Sequence, residues 1–423
     1  AEYLALEERL FAQLEERVYA QIQPVDKHAI NRYNSGSRSD PARWPTNWNH
    51  SFQLTVDSPR AGVLLLHGMS DSPYSLRSLG QRLQASGASV LGLRIPGHGT
   101  APVGLTGVRW DDMAAAVQLA MQHLHDTLGD KPVYIVGYSN GAALAVHYAL
   151  SVLKDPDLPP VSGLVLFSPA IGVSPAAAFA VWQARLGHLL GLNKLEWNVL
   201  LPEYDPFKYG SFAVNAGDLV YRLTIEIQSH FDTLSEPDLK RFPRVLAFQS
   251  AVDGTVSVPD LVRGLFERLP AGGHELVLFD INRITGLKHI LAKDPGPKID
   301  ALLGDTGLSF AVSVATNRDE TSRDVVIRYK AAGDAEVTTT ATEFSWPEEL
   351  YSLSHLAMPM PAQDPLYGGP DAGKSPGVSL GNLALRGERG VLRVSASDML
   401  RIRWNPFYPY LEQRTLDFMR LAP

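Results

Sequence analysis

The spacing of hydrophobic and polar positions changes early in the chain. Over residues 2–21 (EYLALEERLFAQLEERVYAQ), Leu4, Leu10, Leu14 and Val18 recur with charges between them, which is the period of an amphipathic helix. From Phe52 onward short apolar runs bounded by Gly and Pro take over. The segments between them are long enough for helices, as in a parallel sheet built from βαβ units. Strands are predicted at 62–66 (GVLLL), 89–93 (SVLGL), 133–136 (VYIV), 163–167 (GLVLF), 245–248 (VLAF) and 275–279 (ELVLF), with helices at 110–128 and 141–153 among the connections. The expected fold class is α/β, with a doubly wound, mostly parallel sheet.

Two intervals are too long to be plain connections. Residues 172–241 hold AAAFAVWQARLGHLL and the Tyr- and Pro-rich LPEYDPFKYGSF, and read as a mostly helical cap. Residues 290–345 hold FAVSVAT and DVVIRYK, whose alternation suits two or three extra strands. The expected organisation is a helical arm at 1–50, core segments at 51–171, 242–289 and 346–423, the cap at 172–241 and a β-rich insertion at 290–345. Neither interval contains an internal repeat.

Composition narrows the chemistry. The formal net charge of -7 over 423 residues, with no long run of like charges, leaves no footprint for nucleic acid and points to a small-molecule substrate. The absence of cysteine excludes disulfides, thiolate metal sites and a cysteine nucleophile. No apolar stretch reaches the roughly 18 residues that a spanning helix needs. In the N-terminal helix Glu outnumbers Arg, so it is expected to pack on the body, membrane contact being the weaker alternative. The chain starts at Ala1 without an initiator Met, which leaves open a removed signal and export, or a cytoplasmic protein. Oligomeric state is not legible.

Gly137-Tyr138-Ser139-Asn140-Gly141 matches G-x-S-x-G, directly after the predicted strand VYIV and at the start of a predicted helix. The bare pentapeptide also occurs in ordinary Gly-rich turns. Its position between strand and helix makes Ser139 the candidate nucleophile, because that sharp turn holds a hydroxyl out over the carboxyl edge of a sheet. His67-Gly68-Met69 follows the strand GVLLL, where a backbone N–H can meet the amide after the nucleophile; the expected oxyanion donors are the amides of Met69 and Asn140. Met69 is expected to line the acyl pocket, and His67 to brace the loop. Tyr138 and His98, the latter in the turn Pro96-Gly97-His98-Gly99, are the candidate pocket residues.

The order serine, acid, histidine sends the search for the remaining groups downstream. Asp253 lies just past the strand VLAF, where a carboxylate can orient an imidazole, although Asp253-Gly254 is also a common turn dipeptide. Three histidines then compete as general base. His274 enters its strand from the wrong edge. His289 has ordinary spacing but sits in 285–293 (TGLKHILAK), which reads as a surface helix. His355, in Tyr351-Ser352-Leu353-Ser354-His355, is flanked by Ser and followed by a Pro-rich loop. His355 is the expected base and His289 the alternative, so the inserted strands fall between the last core strand and the histidine.

Taken together, Leu66-His67-Gly68, Ile95-Pro96-Gly97-His98-Gly99-Thr100, the Ser139 pentapeptide and Asp253 make the chain resemble the α/β-hydrolase superfamily. Within it the resemblance is to bacterial carboxylesterases of the lysophospholipase and monoacylglycerol-lipase type, over 61–170 and 244–280. The segment SLSHLAMPMPAQDPLYG also resembles a stretch of a group of bacterial α/β hydrolases, which supports His355. The resemblance implies an α/β-hydrolase fold and cleavage of carboxylic esters through a Ser139–His355–Asp253 triad and an acyl-enzyme, with no metal or organic cofactor. The long cap and the insertion leave the substrate open. Phe179, Trp182, Trp197, Tyr204, Phe207 and Tyr209 in the cap would favour apolar acyl or aromatic esters if they line the pocket, and mean nothing for specificity if they pack the cap's own core. Amide or carbon–carbon bond hydrolysis, and a catalytically silent binding protein, are the alternatives on this scaffold.

Overall fold

The computed structural model describes residues 2–22, 30–172, 196–288, 290–381 and 396–422. The apolar runs form strands β1 (Phe52–Leu54), β2 (Ala61–Leu66), β3 (Ala88–Leu93), β4 (Val133–Tyr138) and β5 (Gly163–Phe167). After the short pair β6 (Trp197–Val199) and β7 (Phe212–Ala213) come β8 (Arg244–Ser250), β9 (Glu275–Phe279), β10 (Ala311–Asn317), β11 (Asp324–Lys330) and β12 (Val337–Ser345). Ten of these make one sheet in the order β1-β3-β2-β4-β5-β8-β9-β10-β11-β12. From β3 through β10 every pairing is parallel.

A strand buried on both faces has no polar side to show, which is why β2 to β5 read as continuous apolar runs. Alternate residues feed two cores. Leu64, Leu66, Ile135 and Leu166 pack with Met113, Val117 and Leu144 of the helices Trp110–Leu128 and Asn140–Lys154. Val63, Leu65, Val136 and Val165 meet Leu79, Leu83, Leu411 and Leu416 of the helices Arg77–Ala85 and Tyr408–Phe418 on the other face. Strand order reverses between β2 and β4. Open α/β sheets bind ligands beyond the carboxyl ends of the strands at such a switch point, and here those ends carry Gly68 and Ser139.

The N-terminal helix, Glu2–Arg17, docks differently from the expected leucine stripe. Leu4 is exposed, whereas Glu7 and Leu14 are buried. A buried carboxylate is tolerable only when its oxygens are satisfied. Those of Glu7 accept from the Ser51 amide at 2.6 Å and the Ser51 hydroxyl at 2.9 Å, and pair with Arg94 at 3.1 Å.

The strands expected in 290–345 are β10 to β12, and they continue the central sheet. β10 pairs parallel with β9, and β11 and β12 follow antiparallel. In the cap interval, residues 173–195, with Phe179 and Trp182, lie outside the described residues. The helix Val214–Thr233 covers Asn140–Lys154, burying Leu219, Leu223, Ile227 and Phe231. Among the described residues no helix is long and apolar enough to cross a membrane.

Candidate active site

Ser139 sits between β4 and the helix Asn140–Lys154 with φ 55° and ψ -114°. Left-handed backbone at a non-glycine residue costs about 1–3 kcal/mol and persists only where the surroundings over-determine it. Here they do. The Ser139 amide donates to Phe167 O at 2.9 Å, and its carbonyl accepts from the amides of Ala142, Ala143 and Ala170 at 3.1–3.2 Å. The flanking glycines make the turn possible. A Cβ on Gly137 would stand 2.4 Å from Ala142 Cα, and one on Gly141 would stand 2.1 Å from Leu66 O.

Gly141 therefore brings the helix start against the end of β2. Among the described residues neither the Met69 nor the Asn140 amide has a hydrogen-bond acceptor, so both remain available to an oxyanion. His67 braces the loop between them: its Nδ1 lies 2.9 Å from Gly68 O, and its Nε2 accepts the Ile95 N–H at 3.1 Å. That pattern requires the neutral ring with its proton on Nδ1. Burial holds the His67 pKa well below the usual histidine value, helped by the neighbouring His98.

The structure brings Asp253 and His355 together. The His355 Nδ1 lies 2.9 Å from Asp253 Oδ2, and both side chains are buried. The other carboxylate oxygen accepts the amides of Thr255 at 2.8 Å and Val256 at 3.1 Å, so Asp253 is at once a turn residue and a partner of the imidazole. Burial pushes its pKa up, but the His355 hydrogen bond and the two amides outweigh burial and hold the carboxyl below its ordinary value. The His355 carbonyl accepts the Tyr138 hydroxyl at 3.2 Å. The Pro-rich loop that follows is clamped by Asp364, which pairs with Arg77 at 2.9 Å and accepts Tyr74 Oη at 2.9 Å.

Ser139, His355 and Asp253 line one cavity of about 480 Å³, within the size range of small-molecule sites. Met69, Ala170, Phe212, Val220, Tyr221, Val256 and Leu356 give it apolar walls. Tyr138 also lines it. His98 does not: it is fully buried, close to His67 and stacked on Tyr209. His274 is buried beside the amino end of β8, accepting the Val245 amide at 3.2 Å. His289 lies outside the described residues.

Of the cap aromatics named from the sequence, the four among the described residues pack away from this cavity. Phe207 and Tyr204 join Trp44 and Tyr74, while Tyr209 and Trp197 join Leu105. Among the described residues, the cap interval lines the cavity instead through Gly172, Lys208 and Phe212 and through Gly217, Val220 and Tyr221, the last three sharing one face of a helix at i, i+3 and i+4. Periodicity within 214–233 was the available signal for that face. Lys208, paired with Asp71 at 2.8 Å, and Arg401 also line the cavity, and no local pattern announces either.

The family model described as serine aminopeptidase, S33 (Hydrolase_4) matches residues 57–279. A thermostable monoacylglycerol lipase of Bacillus sp. (strain H-257) is 27% identical over 117 residues, which is 28% of this chain and 44% of that lipase. The chain thus matches less than half the length of this relative. Among solved structures, Paleococcus ferrophilus monoacylglycerol lipase superposes with a TM-score of 0.41 at 21% identity, covering 54% of this chain and 88% of that one. A thermostable carboxyl esterase from Bacillus coagulans gives 0.40 at 15% identity, with 54% and 83% covered.

Proposed function

The chain belongs to the Hydrolase_4 family of α/β-hydrolase-fold hydrolases, and from that premise we propose that it is a lipase-like serine carboxylesterase working through an acyl-enzyme. Ser139 Oγ attacks the ester carbonyl while His355 Nε2 takes its proton. Asp253 holds the Nδ1–H and stabilises the imidazolium as it forms. The Met69 and Asn140 amides, at the positive end of the helix Asn140–Lys154, receive the oxyanion of the tetrahedral intermediate. Its collapse expels the alcohol, protonated by His355. A water activated by the same imidazole then releases the acid.

The observation that carries this reading is the 2.9 Å bond between Asp253 and His355, residues 102 apart in sequence, in the cavity that Ser139 lines. The apolar walls support an apolar acyl or aromatic group on the substrate. The likeness to a monoacylglycerol lipase favours an ester over the peptide bond that the family's description suggests.

The test is hydrolysis of p-nitrophenyl acetate, butyrate, octanoate and palmitate by the wild type and by Ser139→Ala, His355→Ala and His289→Ala. Activity lost in the Ser139 and His355 variants and kept in the His289 variant is expected. A wild type inactive on every ester but active on p-nitroanilides transfers the site to amide chemistry. Failure of a fluorophosphonate to label Ser139 points to a binding protein.

A further inference from the structure

Among the described residues, the acidic and basic groups that line the cavity are paired, with one exception. Asp71 holds Lys208 at 2.8 Å, Asp253 holds His355 at 2.9 Å, and Asp260 faces Arg263 at 2.6 Å. Arg401 lines the same cavity, half-buried, and among the described residues it has no carboxylate, hydrogen-bond acceptor or aromatic face as partner. A guanidinium at a partly desolvated wall is a strong site for a planar anion, because its fork of N–H groups matches a carboxylate in two parallel hydrogen bonds.

The position of Arg401 is tied to the catalytic histidine. Ser354, the residue before His355, donates its hydroxyl to the carbonyl of Ile402, the residue after Arg401. Three residues further on, the Asn405 amide donates to Met360 O at 2.8 Å, so the strand of chain that carries Arg401 runs beside the His355 loop. The charge reaches into the site: burial pushes the Tyr138 phenol well above its ordinary pKa, and Arg401 opposes the rise.

We propose that Arg401 binds a free carboxylate on the substrate, so that the favoured substrates are esters with a second, acidic group, such as half-esters of dicarboxylic acids or esters of hydroxy acids. The proposal deepens the esterase reading of this site and rests on it. One unpaired cation balances one negative charge. A phosphate, with its charge of about -1.5 to -2, would add uncompensated repulsion toward Asp253 and Asp71.

Two matched pairs test it by pH-stat at low salt: monomethyl adipate against methyl hexanoate, and 4-(butyryloxy)benzoate against phenyl butyrate. Wild type is expected to prefer the acidic member of at least one pair by on the order of tenfold in kcat/KM. Arg401→Gln should collapse that ratio, chiefly through KM, and Arg401→Lys should keep part of it. Neutral esters preferred in both pairs, or a ratio indifferent to Arg401→Gln, overturns the proposal. Should the wild type cleave no ester at all, the esterase reading fails separately, and calorimetry decides on Arg401. Monomethyl adipate bound by Ser139→Ala but not by Ser139→Ala/Arg401→Gln upholds carboxylate recognition, whereas equal binding, or none, sinks it.

Discussion

Gly141→Ala is a test of how the turn at Ser139 is built. The added Cβ would lie 2.1 Å from Leu66 O and 2.5 Å from His67 O, and both obstacles are backbone rather than the end of a flexible side chain. An ordinary carbon–oxygen contact is about 3.4 Å, so the helix start and the end of β2 must part by roughly 1 Å. The Asn140 amide is one residue away and moves with the helix. A misplacement of about 1 Å at a group that positions or stabilises the transition state costs on the order of 100-fold in rate. Forcing a methyl into a packed site costs about 1–3 kcal/mol of stability. The variant should therefore fold, unfold at lower urea, and show kcat on p-nitrophenyl butyrate reduced by about two orders of magnitude. A variant as fast and as stable as the wild type would refute both the close approach and the role given to the Asn140 amide.

Three further outcomes follow from the same geometry. Asp253→Asn keeps the shape of the His355 partner but removes the charge and permits the wrong imidazole tautomer; kcat should fall by on the order of 10⁴ with the fold intact by circular dichroism. Burial lowers the pKa of His98, His147 and His274 to about 4 from 6.5, His147 with help from His230. The unfolded chain then binds the extra protons, so stability is fully present above pH 6.5 and declines as pH falls toward 4, by up to about 1.4 kcal/mol per pH unit for each ring. Urea unfolding at pH 7.5, 6 and 5 should show that slope, reduced in His147→Gln; a flat profile contradicts it. Gly217→Ala, in a helix where the new Cβ meets nothing within 4 Å, should raise stability by about 0.5–1 kcal/mol, read as a higher urea midpoint.

These residues differ in how far the sequence discloses them. Ser139 is legible because its requirement is local: a strand, a strained turn between two glycines and a helix fit in one short stretch. Asp253 is nearly so, since one of its oxygens is held by the amides two and three residues later. The pairing of His355 with Asp253 is not local, and spacing alone would have favoured His289. The cues were chemical, and Ser354 does tie the loop down through Ile402. His98 and the cap aromatics among the described residues show what the sequence leaves open. Composition says that a ring will be buried, but not whether its neighbours are the pocket or other rings, and Tyr209 stacks on His98 inside the protein. Arg401 carries no local signature, because what distinguishes it is the absence of a partner, a property of the assembled cavity.

The route of the chain from β9 to His355 explains how so long an interval can precede a residue that pairs with Asp253. β9 ends at the carboxyl edge of the sheet, where the site lies. The helix Gly296–Gly304 precedes β10, which runs parallel to β9 with Ala311 opposite Glu275 and so ends at that same edge. β11 and β12 then form an antiparallel excursion that leaves the carboxyl edge and returns to it. An out-and-back pair leaves the exit edge unchanged, so it lengthens the sheet without relocating what comes next. The returning chain is then pinned across the strand ends: Asn282 N donates to Tyr351 O at 2.8 Å, and Ser250 Oγ donates to Leu353 O at 2.9 Å. The second of these bonds joins the last residue of β8, three before Asp253, to a residue two before His355. Once β12 has returned to the carboxyl edge, the relation between Asp253 and His355 is set by this short bridge rather than by the length of the excursion.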